Sequence, residues 1–158
     1  MNQAAQQTSA PDRVSCLIAP LADRKLLLPI TAVAEVVSTF SAPDGTGAQG
    51  SLYGWLNWRD QRIPLLSFEA AAGGEKQPLQ SESRMAVLNA IGDAGGLGYY
   101  GIVLQGLPNP VQVNGESLRE TDSGKQKMIL SDAQLGEETL SIPDLLALEA
   151  QVAGFSKG

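Results

Sequence analysis

The stretch from Tyr53 to Glu69 constrains this chain most, because it reads as a tight hairpin and little else. Gly54 to Trp58 has the alternation of a half-buried strand, Arg59 to Arg62 is a polar turn, and a second apolar strand opens at Ile63-Pro64-Leu65-Leu66. Both tryptophans lie within a few residues of Arg59, with Asp60 and Arg62 beside it, so one corner combines aromatic area with fixed charge. That combination is more typical of a contact surface than of a reaction centre. Trp55 and Trp58 are separated by an odd step along a strand, so alternation sends them to opposite faces, one to the core and one to a surface.

The rest of the chain reads as short strands. After a polar lead, residues 1–13, Val14 to Leu21 and Lys25 to Ile30 form two strands around Ala22-Asp23-Arg24, and Pro29 puts the second near an edge or an end. Thr31 offers an N-cap for a short helix over Ala32 to Ser38, with Val33, Val36 and Val37 at helical spacing and Glu35 on another face. Ser41 to Ser51 is a loop by composition. A brief helix over Ser67 to Ala72 follows the hairpin, and a polar connector, Gly73 to Ser83, joins two halves of the domain. Arg84 to Ile91 and Leu97 to Leu104 pair across a glycine-rich turn. Beyond Pro108 and Pro110 come a short extended piece at Val111 to Val113, a polar loop from Asn114 to Gln126, and strands over Lys127 to Asp132 and Glu138 to Ile142. Pro143 starts a closing helix that runs to Glu149, within a domain ending at residue 151; a polar tail, residues 152–158, follows. The sum is about nine or ten strands with two or three short helices, a mainly β, largely antiparallel protein built as two small barrels packed together.

Composition narrows the function. A chain of 158 residues holds one domain with a real core. Seventeen acidic against eleven basic residues give a net charge of −6, and the basic ones are scattered, which argues against nucleic acid and anionic membrane surfaces. No apolar run approaches the roughly 18 residues that span a bilayer. Met1 to Ala10 lacks the basic start and apolar core of a signal peptide, so a cytoplasmic location is expected. The single cysteine, Cys16, reads as a small buried hydrophobe in an apolar strand. There is no histidine, which removes Ser-His-Asp and Cys-His catalysis, His-ligated metals and a phospho-accepting histidine. Gly96-Leu97-Gly98-Tyr99-Tyr100-Gly101 matches the glycine pattern of dinucleotide sites. That chemistry needs a helix N-terminus after the glycines to face the pyrophosphate, whereas Ile102-Val103-Leu104 reads as strand, so the glycines are assigned to turn and close-packing roles. The acidic pairs near Gly136 lack the alternating ligands of a calcium loop and read as solvated turn charges. No cofactor and no metal are expected.

The order Gly54, four residues, Arg59-Asp60, two residues, Ile63-Pro64-Leu65 resembles the hairpin of CheW-type chemotaxis adaptors, in which a glycine precedes an Asn-Leu-Arg-Gly turn and a Val-Pro-Val strand. Here the turn reads Asn57-Trp58-Arg59-Asp60, with Asp60 in place of the family glycine; Asp tolerates such a position readily. Leu28-Pro29-Ile30, Val33-Ala34-Glu35-Val36, the strand from Tyr99 to Leu104 and Ile142-Pro143-Asp144-Leu145 extend the resemblance from Val14 to Glu149. Trp58, Leu65-Leu66-Ser67-Phe68-Glu69 and Ile142-Pro143-Asp144-Leu145 are similar to the ChpC branch of chemosensory pili systems.

The resemblance implies two SH3-like barrels and a non-catalytic adaptor between a methyl-accepting chemoreceptor tip and the regulatory domain of a CheA-type histidine kinase, recruited to membrane-associated arrays that control type IV pili and twitching. Other CheW-like proteins are further partners it implies. Carried over, Arg59 and Glu35 belong to the receptor-facing surface, where they form an ion pair, and Ile30, Val33 and Val36 supply apolar contact there. Trp55, Trp58, Arg62 and Ile63 are candidates for the kinase contact, because aromatics and Arg are enriched at interface hot spots. The alternative from another class is a small-ligand-binding barrel or an enzyme accessory subunit that uses a cleft between the barrels.

Overall fold

The computed structural model describes residues 13–45, 48–92, 96–121 and 124–155. Strand β1 (Val14–Pro20) turns into β2 (Lys25–Pro29) in antiparallel register, Cys16 opposite Pro29 and Pro20 opposite Lys25. A single 3-10 turn, Ile30–Ala32, then carries the chain into a second sheet. That sheet is built from β3 (Val33–Val37), β4 (Leu52–Trp58), β5 (Gln61–Leu66), β6 (Arg84–Asn89) and β7 (Tyr99–Leu104), with the one-turn helix α1 (Phe68–Ala71) after β5. Residues 105–108 lead back to the first sheet, which gains β8 (Asn109–Val113), β9 (Leu118–Thr121), β10 (Ile129–Leu135) and β11 (Glu138–Pro143) before helix α2 (Leu145–Phe155).

The six-stranded sheet has the order β8-β1-β2-β11-β10-β9, and the five-stranded sheet β3-β6-β7-β5-β4. Each is antiparallel except at one contact, β11 with β2 and β5 with β7. The mainly β architecture of two curled, barrel-like sheets therefore agrees with the sequence reading.

Burial explains the curl. Leu56, Trp58, Ile63, Leu65, Met85, Val87 and Val103 fill the inside of the five-stranded sheet. Cys16, Ile18, Leu27, Val113 and Leu140 do the same for the six-stranded one. A third cluster joins both sheets, with Leu26 and Leu28 from one, Leu66, Leu88, Tyr100 and Ile102 from the other, and Phe68, Leu148 and Val152 from the helices. Each sheet thus buries one face within itself and the other against its neighbour, as near-continuous apolar strands such as β5 and β7 require. The helices start on side-chain caps: Ser67 Oγ accepts from the Ala70 N–H at 3.0 Å, and Asp144 Oδ1 from the Ala147 N–H at 3.1 Å.

Several sequence expectations are corrected. The helix over Ala32 to Ser38 is strand β3, paired with β6 from Val33 opposite Leu88 to Val37 opposite Met85. β-Branched Val33, Val36 and Val37 suit a pleated surface, and tertiary pairing overrides the helical spacing. Strand β9 lies inside the expected polar loop; Leu118-Arg119-Glu120-Thr121 carries no apolar alternation because it is a mostly exposed edge strand. The hairpin turn is shorter than expected, since Arg62 already belongs to β5. Residues 73–83 do not join the two halves: they connect α1 to β6 beside the same sheet, and the chain crosses between sheets at 30–32 and 105–108. The helix α2 extends to Phe155 with Val152 fully buried, so the tail expected over 152–158 is helical in its first part. The lead through residue 12, the turn residues 93–95 and residues 156–158 lie outside the described residues. The glycine pattern at 96–101 enters strand β7, and a side chain at Gly101 would stand 2.9 Å from Met85 Sδ, so close packing is its role.

Candidate functional site

The site grows from the β4–β5 turn. Asn57 pairs with Arg62 and Trp58 with Gln61, which leaves Arg59 and Asp60 as the two central residues, at φ 49° and 61°. Positive φ at both positions is the type I′ geometry that matches strand twist, and Asp at the second is one of the few residues that accept it at modest cost. The turn aims the Arg59 side chain back over the strand that precedes it. Its guanidinium carbon lies 4.6 Å from the centroid of the Trp58 ring, and its Nη2 lies 3.2 Å from Glu35 Oε1.

Glu35 comes from β3, the opposite edge of the same sheet. The curl brings the two edge strands together here, because Trp58 Nε1 also donates to Glu35 Oε1, at 2.9 Å. The Tyr99 ring also packs on Trp58, with centroids 4.8 Å apart and planes at 57°. One carboxylate oxygen therefore closes the barrel and orients the arginine. The expected Glu35–Arg59 ion pair is present, with side chains 41% and 63% exposed, so solvent screening limits it to about 0–1 kcal/mol of stability. Its importance is directional: the guanidinium is held over the indole ring, with its remaining N–H groups available to a partner.

A second pair lies alongside. Arg62 Nη2 donates to Asp44 Oδ2 at 3.1 Å, and the Arg62 guanidinium lies 6.0 Å from the Trp55 ring centroid. Asp44 belongs to the segment that returns from β3, and it exchanges both backbone hydrogen bonds with Trp55, at 2.7 and 3.0 Å. Gly54 makes this approach possible. It has φ 145°, and a Cβ there would fall 2.1 Å from the Asp44 carbonyl oxygen. An open depression of about 400 Å³ lies between this segment and the hairpin, lined by Phe40, Asp44, Trp55, Trp58 and Arg62 among others.

The residues singled out from sequence separate into exposed and buried sets. Arg59, Glu35 and Arg62 are outward, and Ile30 is 42% exposed on the 3-10 turn between the sheets. Val33 and Val36 are half-buried, Val33 against the cluster shared by both sheets. Trp55, Trp58 and Ile63 are 8%, 7% and 1% exposed, so their bulk belongs to the interior and not to an open surface. Alternation alone had assigned one tryptophan to a surface; the returning Asp44 segment and the ring of Tyr99 cover what it left open. Asp44 and Tyr99 were not legible as members of the corner, since each reaches it through a contact distant in sequence.

Among the described residues no group of three or more His, Cys, Asp or Glu side chains is placed to hold a metal ion. No described helix is long and apolar enough to cross a membrane.

Paired barrel-like sheets, with a charge-on-aromatic corner at the edge of one of them, define the class as a mainly β, two-sheet fold. The chain belongs to the CheW-like domain family, whose model matches residues 15–152. Its fold is similar to the crystal structure of the scaffolding protein TtCheW from Thermoanaerobacter tengcongensis, at 18% identity and a TM-score of 0.70, over 88% of this chain and 89% of that one. No curated protein matches the chain by sequence. CheW-like proteins are non-catalytic scaffolds that couple chemoreceptors to CheA in chemotaxis signalling.

Proposed function

We propose that this chain is an adaptor of the ChpC type, which couples a methyl-accepting chemoreceptor tip to the regulatory domain of a CheA-type histidine kinase in an array that controls type IV pili and twitching. The observation that carries this reading is the Arg59 guanidinium, fixed by Glu35 and the Trp58 ring yet still exposed. Such an oriented charge sets docking register and discriminates partners without any reactive group. Arg59 and Glu35, with Ile30, Val33 and Val36, form the receptor-facing surface in this reading. Arg62 is the exposed group of the kinase set, while Trp55, Trp58 and Ile63 support it from below. Cytoplasmic recruitment to the array, and contact with other CheW-like copies, belong to the same proposal.

The test is a titration of the chain against the cognate kinase regulatory domain and, separately, a receptor-tip fragment. Arg59→Glu is expected to weaken receptor binding by about tenfold or more, equivalent to about 1.4 kcal/mol, while the variant melts like the parent. Arg62→Glu is expected to act mainly on the kinase arm. Absence of saturable binding in both arms at high micromolar concentration refutes the adaptor role. Retained twitching in a strain that lacks the protein, with swimming impaired, refutes the pilus assignment.

A further inference from the structure

Two carboxylates are buried far from this corner, Glu69 and Glu149, each only 2% exposed. They lie in the two helices, and each reaches into the opposite half of the fold. Glu69 sits in α1, which follows β5 of the five-stranded sheet; its Oε2 accepts from the backbone N–H of Ala22, at 2.9 Å, in the β1–β2 turn of the six-stranded sheet. Its Oε1 accepts from Ser67 Oγ at 3.2 Å. Glu149 sits in α2, which follows β11 of the six-stranded sheet; its two oxygens accept from the N–H groups of Ile91 and Gly92, at 2.6 and 2.7 Å, just after β6 of the five-stranded sheet. Gly92 leaves room for this, since a Cβ there would lie 3.2 Å from Glu149 Oε1.

We infer that Glu69 and Glu149 form a reciprocal clamp: each half of the fold lends a helix whose buried carboxylate satisfies a hairpin turn of the other half, so that the two sheets open and close as one unit. The physical warrant is the cost of a half-made contact. If the sheets part, both turns lose their acceptors, Glu149 loses both of its backbone donors, and Glu69 keeps only the Ser67 hydroxyl. Buried groups left unpaired in this way are far more costly than the pair is favourable. Opening at one turn therefore promotes release of the other, although the two lie on different sheets. The clamp requires nothing of the partner-binding corner and stands independently of the adaptor reading.

Hydrogen exchange of the whole chain tests this, with wild type, Glu149→Gln, Glu69→Gln and the double variant compared. In Glu149→Gln one carboxylate oxygen becomes an NH₂ that faces a backbone N–H, so Ile91 and Gly92 should exchange faster. The clamp further requires Ala22, in the turn held by Glu69, to exchange at least about tenfold faster in the same variant, and the converse in Glu69→Gln. Acceleration confined to each variant's own turn, with the other within twofold of wild type, overturns the proposal, as does unchanged exchange at both. If Glu149→Gln does not fold, Glu149→Asp keeps the charge but withdraws it from both donors and is read by the same criterion.

Discussion

Gly54→Ala is the most informative single change, because it targets the point where the hairpin and the segment returning from β3 approach most closely. A methyl group there would lie 2.1 Å from the Asp44 carbonyl oxygen and 2.8 Å from its carbon, both backbone atoms that no side-chain rotation can move away. The backbone at φ 145° is also strained for an L residue. That strain costs about 1–3 kcal/mol. Displacing the segment breaks up to two Asp44–Trp55 backbone hydrogen bonds, about 0.5–1.5 kcal/mol each, so the expected loss is about 2–6 kcal/mol. Against a typical total of about 5–15 kcal/mol this is large. A urea titration followed by tryptophan fluorescence should show the midpoint displaced downward, with Tm lowered by at least about 4 °C. Arg62→Ala is the control, since it removes the half-exposed pair with Asp44 without touching the backbone contact at Gly54, and that pair contributes about 0–1 kcal/mol. If Gly54→Ala melts within 2 °C of wild type, on the order of half a kcal/mol, the account of why this position is glycine is wrong.

Asp60→Gly should stabilise the chain by about 0.5–1 kcal/mol in the same denaturation assay, because glycine accepts φ 61° without strain. Trp58→Phe keeps most of the ring area but deletes the donor to Glu35, and should cost about 1–3 kcal/mol; in a Glu35→Gln background, where the amide oxygen still accepts but carries no charge, the cost should shrink if the bond is charge-assisted and persist if it is not. Burial, then the nearby Glu69 charge, against a lowering contribution from Ser67, push the Tyr53 phenol up to about 12 from the ordinary 10.0. A raised folded-state value means the neutral phenol favours the fold fully below pH 10, and that contribution is lost as pH climbs toward 12; alkaline melts should show this slope in wild type and less of it in Tyr53→Phe. Cys16 is 4% exposed and burial raises its thiol pKa, so a thiol reagent should label it slowly in the native protein and rapidly in denaturant.

What the sequence determined by itself was the part carried by short-range pattern. Alternation and turn chemistry were enough for most of the strands and for the Trp58-Arg59-Asp60 hairpin, because each depends on neighbours a few residues apart, and composition alone excluded histidine-dependent chemistry. Tertiary structure alone decided the rest. Val33 to Val37 carries spacing compatible with helix, and became strand because β6 lay open beside it to pair. Leu118 to Thr121 carries no apolar pattern, and became an edge strand because β10 offered it a ladder. Alternation sent one tryptophan to a surface until Asp44 and Tyr99 covered it, and nothing in the sequence marked Glu69 and Glu149, each of which meets a backbone N–H of the opposite half. These outcomes rest on contacts between residues 18 to 58 positions apart in the chain (Arg62–Asp44, Trp58–Glu35, Glu69–Ala22, Glu149–Ile91) or on sheet pairing, which local composition does not encode. Such contacts exist only once the two sheets have curled and closed on their shared core.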